Sequence, residues 1–223
     1  MTAKLFFGAI CKFLLGVILV GSCVFVSAGT WKFINGWLLM GVLFVPMFVA
    51  GVVMMIKNPL LLQRRLNAKE KEHEQRLVVK ISGLMFLIGF TVAGLGYRFG
   101  WYVLPLGVSI GAMVVFVIAY ALYAEVLREN TYLSRTIEVQ QGQKVIDTGL
   151  YGVVRHPMYS VTLFLFLSMP LILGSVYAFA LFLIYPLVIT QRIRGEERLL
   201  EQALEGYCEY TKRVKYRLIP WVW

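Results

Sequence analysis

Charge is what this sequence has least of. Of its 223 residues 15% are Asp, Glu, Lys or Arg, 59% belong to the hydrophobic set, and the mean hydropathy is +0.74. Soluble domains are about 25% charged, and so few polar residues cannot cover a water-facing surface. A soluble fold, a disordered chain and a coiled coil are excluded together. Cysteine is scarce too. Cys11, Cys23 and Cys208 form no CxxC pair, so neither a disulfide framework nor a metal site is indicated. Also missing are GxGxxG after a strand, a P-loop, HExxH and GxSxG. A nucleotide-like cofactor must therefore bind without a Rossmann sheet. Acids are outnumbered, 12 against 22 Lys and Arg, for a formal net charge of +10. No basic and aromatic module stands apart from the apolar runs, which argues against nucleic acid as a partner.

What is present is a set of long apolar runs. About 20 residues cross roughly 30 Å of hydrocarbon, and 5–28, 34–56, 81–97 and 101–123 are of that order. The first two are joined around Trp31, Lys32 and Asn35; the second two have Tyr97, Trp101 and Tyr102 near their turn as interfacial aromatics. The first run ends in Val26-Ser27-Ala28, like a cleavage site, but it contains Lys12 and exceeds the roughly 7–15 residues of a signal h-region, so an uncleaved span is expected. All twelve acids and eighteen of the bases fall in 57–80, 124–160 and 191–223. A basic excess beside spans marks the cytoplasmic side. Each pair then reads as a hairpin with both ends inside, and both termini are expected in the cytoplasm.

A fifth run, 161–190, would reach about 45 Å as one helix, too long for one crossing and too short for two full ones. Pro170, Gly174 and Ser175 lie near its middle, where a helix breaks or bends. A short hairpin turning at 170–175 is predicted; the alternative is one strongly tilted span. The tail 191–217 has amphipathic helical spacing, ended before Pro220. The expected fold is an all-α polytopic membrane protein: four full transmembrane helices, a C-terminal membrane hairpin and an amphipathic C-terminal helix. Residues 1–123, with the charged connection 57–80, form the membrane part. Residues 124–223 carry the chemistry.

Two polar clusters lie against the apolar runs. The first, Asp147 to Ser160, sets Arg155, His156, Tyr151 and Tyr159 on a loop shaped by Gly149, Gly152 and Pro157. Its alternative reading is an interfacial anchor. The second, Gln191 to Glu197, places Arg192 and Glu196 four residues apart on one helical face. Its alternative is a solvated ion pair worth about 0.3–0.5 kcal/mol. His73, among charged neighbours, reads as a solvated loop residue. Only Lys12 puts a charge inside a run, which weakens an ion pump or proton-coupled transporter.

The string Gly149-Leu-Tyr-Gly-Val-Val-Arg-His-Pro-Met-Tyr159, an apolar hairpin, Arg192-x-x-x-Glu196-Glu197-x-x-Leu200, then Tyr207-x-x-Tyr210-x-x-x-Val214 and Ile219-Pro220 resembles the isoprenylcysteine carboxyl methyltransferase family. These are integral membrane enzymes that use S-adenosylmethionine. The resemblance covers roughly 130–220 and implies a cofactor site at Gln143, Lys144, Val145, Ile146, Tyr151, His156, Pro157, Met158, Tyr159 and Glu196, with Arg192 towards the acceptor. Arg192 and Glu196 are the implied catalytic pair. The implied partners are membrane lipids and a lipidic or prenylated methyl acceptor. Many members carry Gly where this chain has Val161, which bears on the width of the acceptor tunnel. Phospholipid N-methyltransferases and membrane sterol reductases share parts of the pattern, and a thiol acceptor is a further alternative. A carboxylate acceptor, with an unperturbed pKa of about 3.3–3.7, needs no general base at neutral pH, and an arginine suits an anion better than an amine.

Overall fold

In lipid a backbone can satisfy its polar groups only within itself, so apolar runs become helices. The computed structural model describes residues 3–66, 73–101, 103–134 and 136–223. Helix α1 (Ala3–Gly21) continues through a π-turn at Ser22–Val26, followed by α2 (Ile34–Lys57), short α3 (Pro59–Leu66), α4 (His73–Arg98) and α5 (Leu106–Glu129). Then come α6 (Pro157–Ile172), α7 (Val176–Phe182), α8 (Tyr185–Ala203) and α9 (Tyr207–Arg213). Among the described residues, five segments are long and apolar enough to cross a membrane: Leu5–Val26, Ile34–Lys57, Gln75–Arg98, Leu106–Glu129 and Val176–Ala203. Pro157–Ile172 is a shorter apolar helix. The chain is an all-α integral membrane protein with several passes. Leu15, Ile18, Val45 and Val49 on the first two helices face outward, as a lipid-facing surface requires. Tyr102, residues 67–72 of the charged connection and the side chain of His73 lie outside the described residues.

Lys12, the charge inside the first run, donates from Nζ to the Leu66 carbonyl at 2.6 Å. Arg64 donates to the Thr131 carbonyl at 2.8 Å and Arg65 to that of Ser134 at 3.3 Å. The first polar connection and the loop after α5 therefore share one end of the bundle.

The fifth run is a hairpin. His156, just before α6, and Glu197, late in α8, are 3.2 Å apart, so the chain returns to the end from which it set out. A single tilted span would have separated them. The turn is at Leu173–Ser175, where Gly174 has φ +72, a conformation glycine adopts without strain. A break at Leu183 and Ile184 precedes Pro186 in the first turn of α8, where a ring nitrogen cannot donate.

The tip leaves helix-end carbonyls in need of partners, and three of them find a donor from another element. Ser109 Oγ donates to Leu171 at 3.1 Å, Asn35 Nδ2 to Ile172 at 2.9 Å, and the Leu104 amide to Gly174 at 2.9 Å. The bridge between Val103 and Ser175 sets the tip level with the turn joining α4 and α5. The arms therefore reach the far side of the bundle, α6 alone rising about 24 Å. Asn35→Ala leaves the Ile172 carbonyl without its side-chain donor. It is expected to cost about 1–3 kcal/mol, read as a lower apparent unfolding temperature in detergent.

The tail departs from the single amphipathic helix expected over 191–217. Helix α8 stops at Ala203, Gly206 takes φ +82, and α9 starts in a new direction at Tyr207. That corner turns Tyr207 and Tyr210 inward beside Leu204 and Val214 as a small second core.

Candidate functional site

The loop between α5 and α6 is fixed from three directions. Glu129 accepts from the Leu150 amide at 3.2 Å, Asn130 Nδ2 donates to the Tyr151 hydroxyl at 3.0 Å, and the Tyr210 hydroxyl donates to the Tyr151 carbonyl at 2.7 Å. The C-terminal segment runs alongside: the Arg155 and His156 amides donate to the Tyr216 and Arg217 carbonyls at 2.9 and 3.0 Å. Pro157 opens α6 at its first turn, where its missing N–H costs nothing. Val161, where the resemblance leads one to expect glycine, is buried in the core and packs inside.

His156 is 5% exposed and Glu197 4%, so the loop is no solvated interfacial anchor. Glu197 gathers three partners: His156 Nε2 at 3.2 Å, Arg155 Nε at 3.2 Å and Arg217 Nε at 2.7 Å. Such a cluster holds the imidazole ring in one orientation, because the carboxylate occupies its Nε2 side. The neighbouring Glu196 does something different. It accepts from the Tyr159 hydroxyl at 2.5 Å, and that hydroxyl accepts from Arg192 Nε at 3.2 Å. Arg192 is 9% exposed. The solvated i,i+4 pair considered for Arg192 and Glu196 is thus replaced by a buried assembly centred on a phenol.

Arg155, His156, Tyr159, Arg192 and Glu196 line a cavity of about 440 Å³, within the range of small-molecule sites. Every residue that the resemblance assigned to cofactor or acceptor lines it except Pro157, which is buried behind at the start of α6. Its wall also includes α3 and α4, through Arg65, Val78, Ser82 and Phe86. At its membrane end the rings of Phe86, Phe166 and Tyr185 meet edge to face, at centroid distances of 4.7 and 4.8 Å.

Sequence reasoning missed five groups. Glu197 was part of the motif but had no role of its own. Arg217, Gln75 and Arg65 reach the site from distant segments. Tyr207, quoted in the tail motif but given no role, lines the cavity with a buried hydroxyl that has no hydrogen-bond partner among the described residues. Burial, then the nearby Glu197 and Glu196 carboxylates, push its phenol well above the usual range. Burial does the same to Tyr151. Both remain protonated donors at neutral pH.

The sequence model of the isoprenylcysteine carboxyl methyltransferase (ICMT) family matches residues 109–202. The match takes in most of α5, the His156 loop, the hairpin and Arg192 to Glu197, and bears out the resemblance drawn from those motifs. It begins earlier and ends sooner than the 130–220 suggested by the motifs, leaving Tyr207, Tyr210 and the tail outside. The chain is also similar to the Delta(14)-sterol reductase TM7SF2 of Mus musculus, 32% identical over 91 residues. That stretch is 40% of this chain and 22% of the relative, so the chain spans about a fifth of its length.

Proposed function

We propose that this protein is an S-adenosylmethionine-dependent membrane methyltransferase whose acceptor is a lipidic carboxylate of the isoprenylcysteine kind. The observation that carries the reading is one cavity lined by His156, Tyr159, Glu196 and Arg192 together. The residues suit the cofactor: the buried Tyr207 hydroxyl, without a hydrogen-bond partner among the described residues, can meet a polar group, Glu196 complements an ammonium, Lys144 and His156 complement a carboxylate, and Val145, Ile146 and Met158 offer an apolar slot. When bound, the cofactor supplies a methyl group already activated on a sulfonium. The protein's share is alignment and exclusion of water. Arg192 holds the acceptor carboxylate in place, and Tyr159 fixes Arg192 relative to Glu196. No proton needs to leave the acceptor, since a carboxylate is already ionised at neutral pH.

The site end of the bundle gathers Arg64, Arg65, Arg155, Arg192 and Arg217, which supports a cytoplasmic site with both termini on that side. Residues 124–223 form the catalytic region in this reading, and α3 and α4 complete its wall. A second reading, a reductase using a nicotinamide cofactor, draws on the similarity to the sterol reductase. Phospholipid and thiol acceptors are variants of the first.

The test is titration of S-adenosylmethionine into the purified protein in detergent, repeated for His156→Ala and Glu196→Ala. Each removes a hydrogen bond to a charged group, worth about 1.5–3 kcal/mol, so affinity is expected to fall roughly tenfold to 150-fold. Unchanged affinity in both variants would remove the site assignment.

A further inference from the structure

One carboxylate serves three bases at the back of the cavity. Buried Glu197 faces His156, Arg155 and Arg217, so even with the imidazole neutral the cluster holds one positive charge too many. Water attends to Arg217, whose side chain is 35% exposed. The Arg155 side chain, at 9%, has little of it. A buried cation without a full counter-charge is costly until an anion meets it.

That surplus stands on the cavity wall, where Arg155 and Tyr207 are both lining residues. Glu197 engages Arg155 at Nε, 3.2 Å away and not aligned for a hydrogen bond. Nε is the inner nitrogen of the fork, so the terminal pair is left for a second anion. The Tyr207 hydroxyl, a donor with no hydrogen-bond partner among the described residues, is within the electrostatic reach of Arg155 and of Glu196. An acid and a cationic donor set therefore share one corner. An α-amino acid needs that arrangement, because its ammonium and carboxylate hang from the same carbon.

We propose that Arg155 and Tyr207 bind the α-carboxylate of S-adenosylmethionine, beside the ammonium held by Glu196. The inference rests on the methyltransferase reading above and adds two cofactor ligands to it. Arg155 is part of the quoted motif but was not among the implied cofactor residues, and Tyr207 lies beyond the family match. Glu197 is then a positioning residue. It holds Arg155 from behind without cancelling the whole charge of the cluster, so the corner is electropositive before the cofactor arrives.

The variants are Arg155→Gln and Tyr207→Phe, each as full-length protein in detergent. Dissociation constants are measured for S-adenosylmethionine, for its decarboxylated analogue, which keeps the ammonium, for 5′-methylthioadenosine, which lacks the amino-acid head, and for N-acetyl-S-farnesylcysteine. Wild type is expected to bind S-adenosylmethionine at least about tenfold more tightly than the decarboxylated analogue. Arg155→Gln is expected to weaken S-adenosylmethionine roughly tenfold to 150-fold, and Tyr207→Phe roughly fivefold. The other three ligands are expected to stay within about twofold in both variants. Tyr207→Phe removes a hydroxyl unpaired in the free protein, so its unfolding temperature without ligand is expected to equal or exceed that of wild type.

Unchanged S-adenosylmethionine affinity in either variant overturns the proposal. So does an equal loss for the decarboxylated analogue, or a loss confined to the farnesyl probe, which would give the corner to the acceptor. A lowered unfolding temperature in Tyr207→Phe overturns it as well, since the hydroxyl would then be satisfied within the protein. Should Arg155→Gln fail to fold, the wild-type comparison of the two cofactor forms and Tyr207→Phe decide. Wild-type protein that binds both forms equally overturns this inference and leaves the methyltransferase reading standing. Wild-type protein that binds no S-adenosylmethionine overturns that reading itself.

Discussion

Arg192→Ala is expected to retain S-adenosylmethionine affinity and to lose nearly all methylation of N-acetyl-S-farnesylcysteine. Truncating one partner of a desolvated charge pair costs about 2–5 kcal/mol, or roughly thirtyfold to several thousandfold in kcat/KM. The cofactor is spared because Arg192 is linked to Glu196 through the Tyr159 hydroxyl, and Glu196 with Tyr159 remains in place. Arg192→Lys keeps the charge but not the fork, and a point charge cannot engage Gln75 and Tyr159 while facing a carboxylate. It is expected to recover part of the binding and little of the turnover. Measuring the cofactor constant and the acceptor kinetics on the same preparations checks both statements. Equal loss of cofactor affinity would show that Arg192 belongs to the cofactor half of the cavity.

Glu197→Ala is expected to be the most destabilising single change in the site. One carboxylate, 4% exposed, faces His156, Arg155 and Arg217. The Arg155 side chain is 9% exposed, so removing the acid strands a guanidinium in a poorly solvated place. Breaking such a pair from one side costs about 3–5 kcal/mol, to be read as a large drop in apparent unfolding temperature in detergent. Glu197→Gln keeps the shape and an acceptor oxygen and is expected to lose about half as much. If Glu197→Ala unfolds at the wild-type temperature, the cluster is not what ties the C-terminal segment to the His156 loop.

The apolar runs made the helices legible, because lipid leaves the backbone no other choice. The direction of the fifth run was not legible in the same way. Hydropathy along 161–190 has no sign, and it is contacts between the two arms, such as His156 with Glu197 and Tyr159 with Glu196, that show the run doubling back. The end of α8 was misjudged for a local reason: the amphipathic spacing continues past Ala203, while Gly206 breaks the backbone. Within the site, His156, Tyr159, Arg192 and Glu196 could be found because they fall in two short strings. Gln75 could not, since it meets Arg192 across 117 positions from a segment whose charged neighbours suggest an exposed loop. Glu197 was hidden by adjacency. Beside Glu196 it looked like a repeat of the same function, but successive residues on a helix point about 100° apart, one into the cavity and one into the cluster behind it.

The most direct test of the central claim compares two titrations of the purified wild-type protein in the same detergent, one with S-adenosylmethionine and one with NADPH. The methyltransferase account predicts saturable binding of S-adenosylmethionine at one site per chain and none of NADPH. Binding of NADPH with no binding of S-adenosylmethionine would contradict it and hand the cavity to reductase chemistry.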